Sequence, residues 1–244
     1  MSDKLTFGRD INEFLRSRGA PRTEAADSDN GNGYGICLLS AKPSGDERVI
    51  LTISVSNPSG SEETEMVLLT EHFREMGLSV GILDTEIMPE LEYWSEVARA
   101  YFSACSSFAY TPSSISTLRK KLIQKGFSKD IASDAIESVK SRGFVDEGQI
   151  ALRRAQLCVD KRWGRSRVLM KLREEGFDED SLGEARKFLA TVNFAENCAA
   201  LIKRKFGNIP DDRHEREHMC ASLSRMGYSA ADIRAALEIV KKQF

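Results

Sequence analysis

Histidine is scarce in this chain: 244 residues hold only His72, His214 and His218. With so few, no Ser/His/Asp or Cys/His set for nucleophilic catalysis suggests itself. Long apolar runs are missing too, and none approaches the roughly 18–20 residues that a membrane-spanning helix needs. The first residues, MSDKLTFGRD, are charged with no apolar stretch behind them, which argues against a signal peptide. Five cysteines, at 37, 105, 158, 198 and 220, are odd in number, widely spaced and without any CxxC. That pattern suits reduced thiols in a cytoplasm better than a disulfide framework or a zinc site. Neither a GxxxxGK[ST] nucleotide loop nor a GxSxG elbow occurs.

Three short stretches invite chemistry and are read otherwise. HEREH, 214–218, matches the H-E-x-x-H zinc pattern, with Glu238 as a conceivable third ligand. It lies beside Asp211, Asp212, Arg213 and Arg216, on what reads as a solvated helix face. GNGYG, 31–35, has no strand before it and no clear helix after it, so it reads as linker and not as a phosphate loop. DSDNGNGYGICL places Leu38 where a calcium loop needs its bidentate glutamate. The expectation is no catalytic residue, no cofactor and no metal.

Charge is abundant but unevenly placed. The net charge of −2 conceals 9 basic against 18 acidic residues over 1–110, and 20 against 13 over 111–206. An acidic front joined to a basic middle points to an electrostatic partner for the middle, either a nucleic acid or an acidic protein surface. A solvated helical face with scattered lysines is the plainer alternative.

Residues 19–35 are small, polar and glycine-rich and read as a mobile linker after a short helix-like stretch at 8–18. RVILTISVS, 48–56, alternates and is β-branched, which predicts a strand. NPSGSEE supplies a turn, and EMVLLT, 65–70, makes a second strand or the start of a helix. Helices are predicted over 71–78, ending at Gly77, and over 87–110. After Thr111-Pro112 everything reads helical.

Within that helical half KLIQKGF, KLREEGF and SLSRMGY recur, with Leu122, Leu172 and Leu223 separated by 50 and then 51 residues. If Gly126, Gly176 and Gly227 occupy C′ with positive φ, each Leu falls at C3. Phe127, Phe177 and Tyr228 then fall at C″, which is the contact pair of a Schellman cap. Ser128, Asp178 and Ser229 follow as N-caps. Val139, Leu189 and Val240 each stand thirteen residues beyond the glycine. A third helix is predicted over 143–163, capped by Asp146 and ending at Gly164, and another over 193–206, ending at Gly207.

The expected class is therefore mainly α: tandem three-helix repeats in an elongated, curved stack, behind a small segment with one or two strands and helices. The expected divisions are a flexible extension at 1–45 and an α+β segment at 46–112. Repeats follow at 113–164 and 165–208, with a partial one at 209–244. The repeats also hold most of the clustered cations: Lys120 and Lys121, Arg153 and Arg154, Lys161, Arg162, Arg165 and Arg167, Lys203 and Lys205. KRWGRSR puts Trp163 among four of them, a combination able to grip phosphate and stack on a base. The plainer reading packs the Trp under a corner while its neighbours snorkel to water, and it is preferred for the Trp.

From about residue 48 to the end, the chain resembles the bacterial RecX regulators of the RecA recombinase. FAYTPSSISTLRKKLIQKGF is similar to that family's first repeat entrance, and SRGFVDEGQIA to its G-[FIL]-[ILV]-[DN]-[DE] helix start. KRWGRSRVLMKLREEGF and SLSRMGYSAADIRAAL follow in the family's order, and EHFREMGLSVGILDTEIMPELE resembles its N-terminal segment. Ile150 stands where an aromatic is usual, Glu174 and Glu175 make one corner acidic, and residues 1–47 have no recognised counterpart.

The resemblance implies a non-enzymatic regulator of homologous recombination, DNA repair and the SOS response, acting in the cytoplasm as a monomer. It would bind the RecA filament on single-stranded DNA and inhibit ATP hydrolysis and strand exchange. Weak direct DNA contact and no membrane contact would go with this role. The ten cations above are the contact candidates. Leu122, Gly126, Phe127, Leu172, Gly176, Phe177, Leu223, Gly227 and Tyr228 are structural corners, with Lys121 in both roles. An independent nucleic-acid-binding repeat protein, or a helical scaffold for another protein, are the alternatives.

Overall fold

A computed structural model describes residues 35–242. The predictions for 8–18, for GNGYG up to Tyr34 and for most of the 19–35 linker lie outside the described residues. Strand β1 (Gly35–Pro43) opens the fold, followed by β2 (Arg48–Asn57), β3 (Gly60–Leu69) and the short β4 (Gly81–Leu83). They form one antiparallel sheet in the order β3-β2-β1-β4. The β2–β3 hairpin turns through Pro58 and Ser59, with Asn57 Oδ1 accepting the Ser59 N–H at 2.8 Å. Gly60 leaves the turn at φ 143°, a backbone conformation open to glycine.

Alternation in β2 sends Val49, Leu51 and Ile53 inward with Ile36, Leu38 and Leu68, where Phe73, Leu78 and Leu91 complete a core. EMVLLT is both of the things predicted for it: β3 runs through Leu69, and helix α1 (Thr70–Glu75) begins at the next residue. The sequence reading does not find β1 and leaves its residues in the N-terminal extension. The structure pairs β1 with both β2 and β4.

After a 3-10 turn (Thr85–Ile87) comes α2 (Met88–Tyr110). Eight more helices follow among the described residues. They are α3 (Ile115–Gln124), α4 (Lys129–Ser141), α5 (Glu147–Asp160), α6 (Arg165–Glu174), α7 (Leu182–Thr191), α8 (Phe194–Phe206), α9 (Arg213–Arg225) and α10 (Ala230–Lys241). This is the expected series of three, three and two. Each repeated corner carries the expected cap. Gly126, Gly176 and Gly227 sit at φ 98°, 84° and 90°. The N–H groups of Phe127, Phe177 and Tyr228 donate to the carbonyls of Leu122, Leu172 and Leu223 at 3.3, 3.2 and 3.3 Å. The three leucines are buried, as are Val139, Leu189 and Val240. Ser229 and Asp232 close a reciprocal capping box at the start of α10. Asp178 instead caps the turn before α7, accepting from Ser181 N–H at 2.9 Å.

One boundary differs from the sequence reading. Helix α5 does not run to Gly164; it stops at Asp160, and Arg162 reverses the chain at φ 61°. The Trp163 N–H then donates to the Cys158 carbonyl at 3.2 Å, the same closing bond the glycine corners make. Gly164 is the N-cap of α6.

The chain divides into two compact units that do not follow the repeats. Of the described residues, one comprises 35–106 with 122–139, and the other 107–121 with 140–242. In the first, Tyr93 Oη donates to Asp134 Oδ2 at 2.6 Å, tying α2 to α4. That bond holds the Tyr93 phenol up at about 12. In the second, α5 packs on α7 and α8 on α10, so the third helix of a copy meets the second helix of the next. Ala151, Ala155, Leu182, Ala185, Cys198, Ile202, Ile233 and Ala236 belong to that shared core.

Candidate partner-binding surface

All ten cations named from the sequence fall in the second unit. Several are held by the repeat corners. Ser114 and Thr117, at the start of α3, both donate through their hydroxyls to the Glu175 carbonyl, at the corner of the next copy. Fifty residues on, the Gly164 N–H donates to the Met226 carbonyl at 2.8 Å and the Ser166 N–H to the Gly227 carbonyl at 3.2 Å. Each first helix thus begins on the glycine corner of the following copy and satisfies carbonyls its helix leaves over. A Cβ on Gly164 would lie 2.1 Å from the Gly227 carbonyl carbon, so only glycine fits there.

Arg162 serves this junction. Its guanidinium donates to Asn197 Oδ1, and its carbonyl accepts from Tyr228 Oη at 2.8 Å. Burial pushes the Tyr228 phenol well above its ordinary range. Arg167 lies over the Trp163 ring at 4.2 Å, and Trp163 packs against the core. This is the packed-corner arrangement and not an open platform for a base. Arg165 covers Phe194 at 5.3 Å and donates to the Leu189 carbonyl. Lys205 donates to Ser222 Oγ at 3.0 Å. Arg154 donates to the Pro112 carbonyl at 3.2 Å and lies 3.8 Å from Glu175. Lys120, Arg153, Lys161 and Lys203 are exposed, and Lys121 is half-buried.

Beside Arg153 the structure shows a depression of about 570 Å³ that the sequence reading missed. Phe108 and Pro112 form one wall, Phe144 the corner before α5, and Ile150, Arg153, Arg154 and Leu157 the α5 face. Phe144 and Leu157 are each nearly half exposed. The signal was present in EGQIALRRAQLCVD. Ala151, Ala155 and Val159 make one buried stripe, while Ile150 and Leu157, seven apart, make a second on another side of the helix.

HEREH lies on the first turns of α9, where every residue from Asp211 to His218 is exposed. Arg213 pairs with Glu217 at 3.0 Å. Among the described residues, no group of three His, Cys, Asp or Glu is placed to hold a metal ion. None of their helices is long and apolar enough to cross a membrane.

Comparison with known proteins bears on this arrangement. No family model matches the chain. The chain is 28% identical over 120 residues to Regulatory protein RecX of Halorhodospira halophila, covering 49% of this chain and 74% of that protein. It is 28% identical over 122 residues to the Xanthomonas axonopodis pv. citri protein of the same name, with the same coverages. A solved structure, titled as the crystal structure of regulatory protein RecX, matches with a TM-score of 0.63 at 17% identity. That match covers 86% of this chain and 99% of the other. The chain is thus similar to RecX proteins in sequence and to a solved RecX structure in fold. The likeness to the solved structure is one of fold, in which helices follow a small antiparallel sheet.

Proposed function

We propose that this RecX-type chain regulates the RecA recombinase by binding its filament on single-stranded DNA and inhibiting ATP hydrolysis and strand exchange, with no catalysis of its own. The observation that carries the reading is the RecX similarity, which covers about half of this chain and most of each relative. The repeat half offers what such a role needs: helices that carry exposed cations at Lys120, Arg153 and Lys161. The corner cations Arg162, Arg165 and Arg167 act mainly in holding the repeats together, because their donors and charges are used internally. The test is RecA ATP hydrolysis on single-stranded DNA with increasing amounts of this protein. The expected result is a rate that falls with added protein. An unchanged rate at molar excess, together with no co-sedimentation on the filament, overturns the reading.

A further inference from the structure

The second unit's groove carries more than general surface character. Helix α5 exposes Leu157, half-buried Ile150 lines the groove from its place against the core, and Phe108, Pro112 and Phe144 extend the apolar surface away from the helix. Scattered exposed apolar side chains are ordinary, but a concave group of five with two guanidiniums on its edge is not. The two arginines differ. Arg154 is committed to the Pro112 carbonyl and to Glu175. Arg153 is exposed and forms no ion pair among the described residues, and Gln149 stands one turn before it, also exposed. Asp146, the acid in the lining, is occupied in capping α5 through the Gln149 N–H at 3.0 Å. The groove therefore presents an apolar floor and one available planar cation, which can hold a carboxylate through two parallel hydrogen bonds.

From this geometry we infer that the groove is a docking site for an acidic amphipathic peptide segment of the partner protein. A bulky apolar side chain of the segment sits between Phe108, Phe144 and Leu157, and a neighbouring carboxylate pairs with Arg153. A nucleic-acid strand suits the site less well, because its backbone would set phosphates over an apolar floor served by a single available cation. The inference rests on the proposed recombinase partner and adds the place and chemistry of contact.

The experiment measures binding of the full chain to RecA filaments assembled on fluorescent single-stranded DNA with a slowly hydrolysed ATP analogue, and to the same DNA without RecA. The variants are Leu157→Glu, Arg153→Glu and, as a control on an exposed helix outside the groove, His214→Ala. Circular dichroism and melting confirm that each variant is folded, as the exposure of these side chains leads one to expect. The expected result is about a tenfold or greater loss of filament affinity for each groove variant, the range in which anchor residues operate, with His214→Ala unchanged. Filament binding by folded Leu157→Glu and Arg153→Glu at wild-type affinity overturns the groove proposal and leaves the regulatory reading intact. Loss of naked-DNA binding to the same degree as filament binding overturns it in favour of a nucleic-acid surface. Failure of the wild-type chain to bind filaments overturns the regulatory reading, and the groove proposal falls with it.

Discussion

Gly164 and Gly126 show how differently two glycines of one repeat family are used. Gly126 needs its hydrogen side chain for φ 98° alone, since a Cβ there would touch nothing within 4 Å. Gly164 needs it for contact, because the backbone of Gly227 occupies the space a methyl would take. Gly126→Ala is therefore expected to cost about 1–2 kcal/mol, the left-handed penalty of one L-residue. Gly164→Ala should cost about 3 kcal/mol or more, through overpacking and the loss of junction hydrogen bonds. Urea unfolding of the two variants checks the order, and equal losses would contradict the junction. The corner caps were legible in the sequence because Leu, Gly and an aromatic at fixed offsets state a local geometry. The junction was not, since nothing near Gly164 reveals that Gly227 lies against it. The turn at Arg162 was equally hidden. An arginine seldom adopts positive φ, and what holds it there, Asn197 and Tyr228, lies far along the chain.

At the scale of elements, the starts of α3 and α5 are coupled by one side chain. Glu147, in the first turn of α5, accepts the Ile115 N–H at 2.9 Å at the first residue of α3. Burial, with the nearby Asp178 charge, holds its carboxyl above the ordinary value, against the Ile115 bond that favours the anion. A carboxyl raised in the folded chain contributes stability below its ordinary pKa, and that contribution is lost as pH rises through the folded value. Glu147→Gln keeps an acceptor for Ile115 and removes the ionisation. Its melting temperature relative to wild type should be higher at about pH 7 than at about pH 4. A difference that stays constant or shrinks with rising pH would show that Glu147 is not held as described. Most helices were legible because Asp146, Ser229 and the glycines mark their ends. Strand β1 was not, because a bulge between Leu38 and Ser40 breaks its alternation, and β4, with three residues, is too short to show a period. The apolar groove was obscured for a related reason: the second stripe of α5 has only two members in the helix, and its other walls come from Phe108, Pro112 and Phe144.

At the scale of the molecule, the main helix packing of the second unit is shared between copies, α5 with α7 and α8 with α10. Native-state hydrogen exchange should therefore group α5 with α7 and α8 with α10 as slow partners, while the exposed first turns of α9 exchange quickly. Protection that instead follows the repeat boundaries, with α3, α4 and α5 exchanging as one block, would contradict the shared core. The same arrangement has a consequence during synthesis. When α5 leaves the ribosome, the helix that covers Ala151, Ala155 and Val159 has not yet emerged. Residues Lys161 to Thr191 must still emerge, which takes a few seconds at roughly 5–20 residues per second. The nascent chain thus carries an uncovered apolar stripe through that interval and again between α8 and α10, and these are the moments at which a chaperone has most to hold.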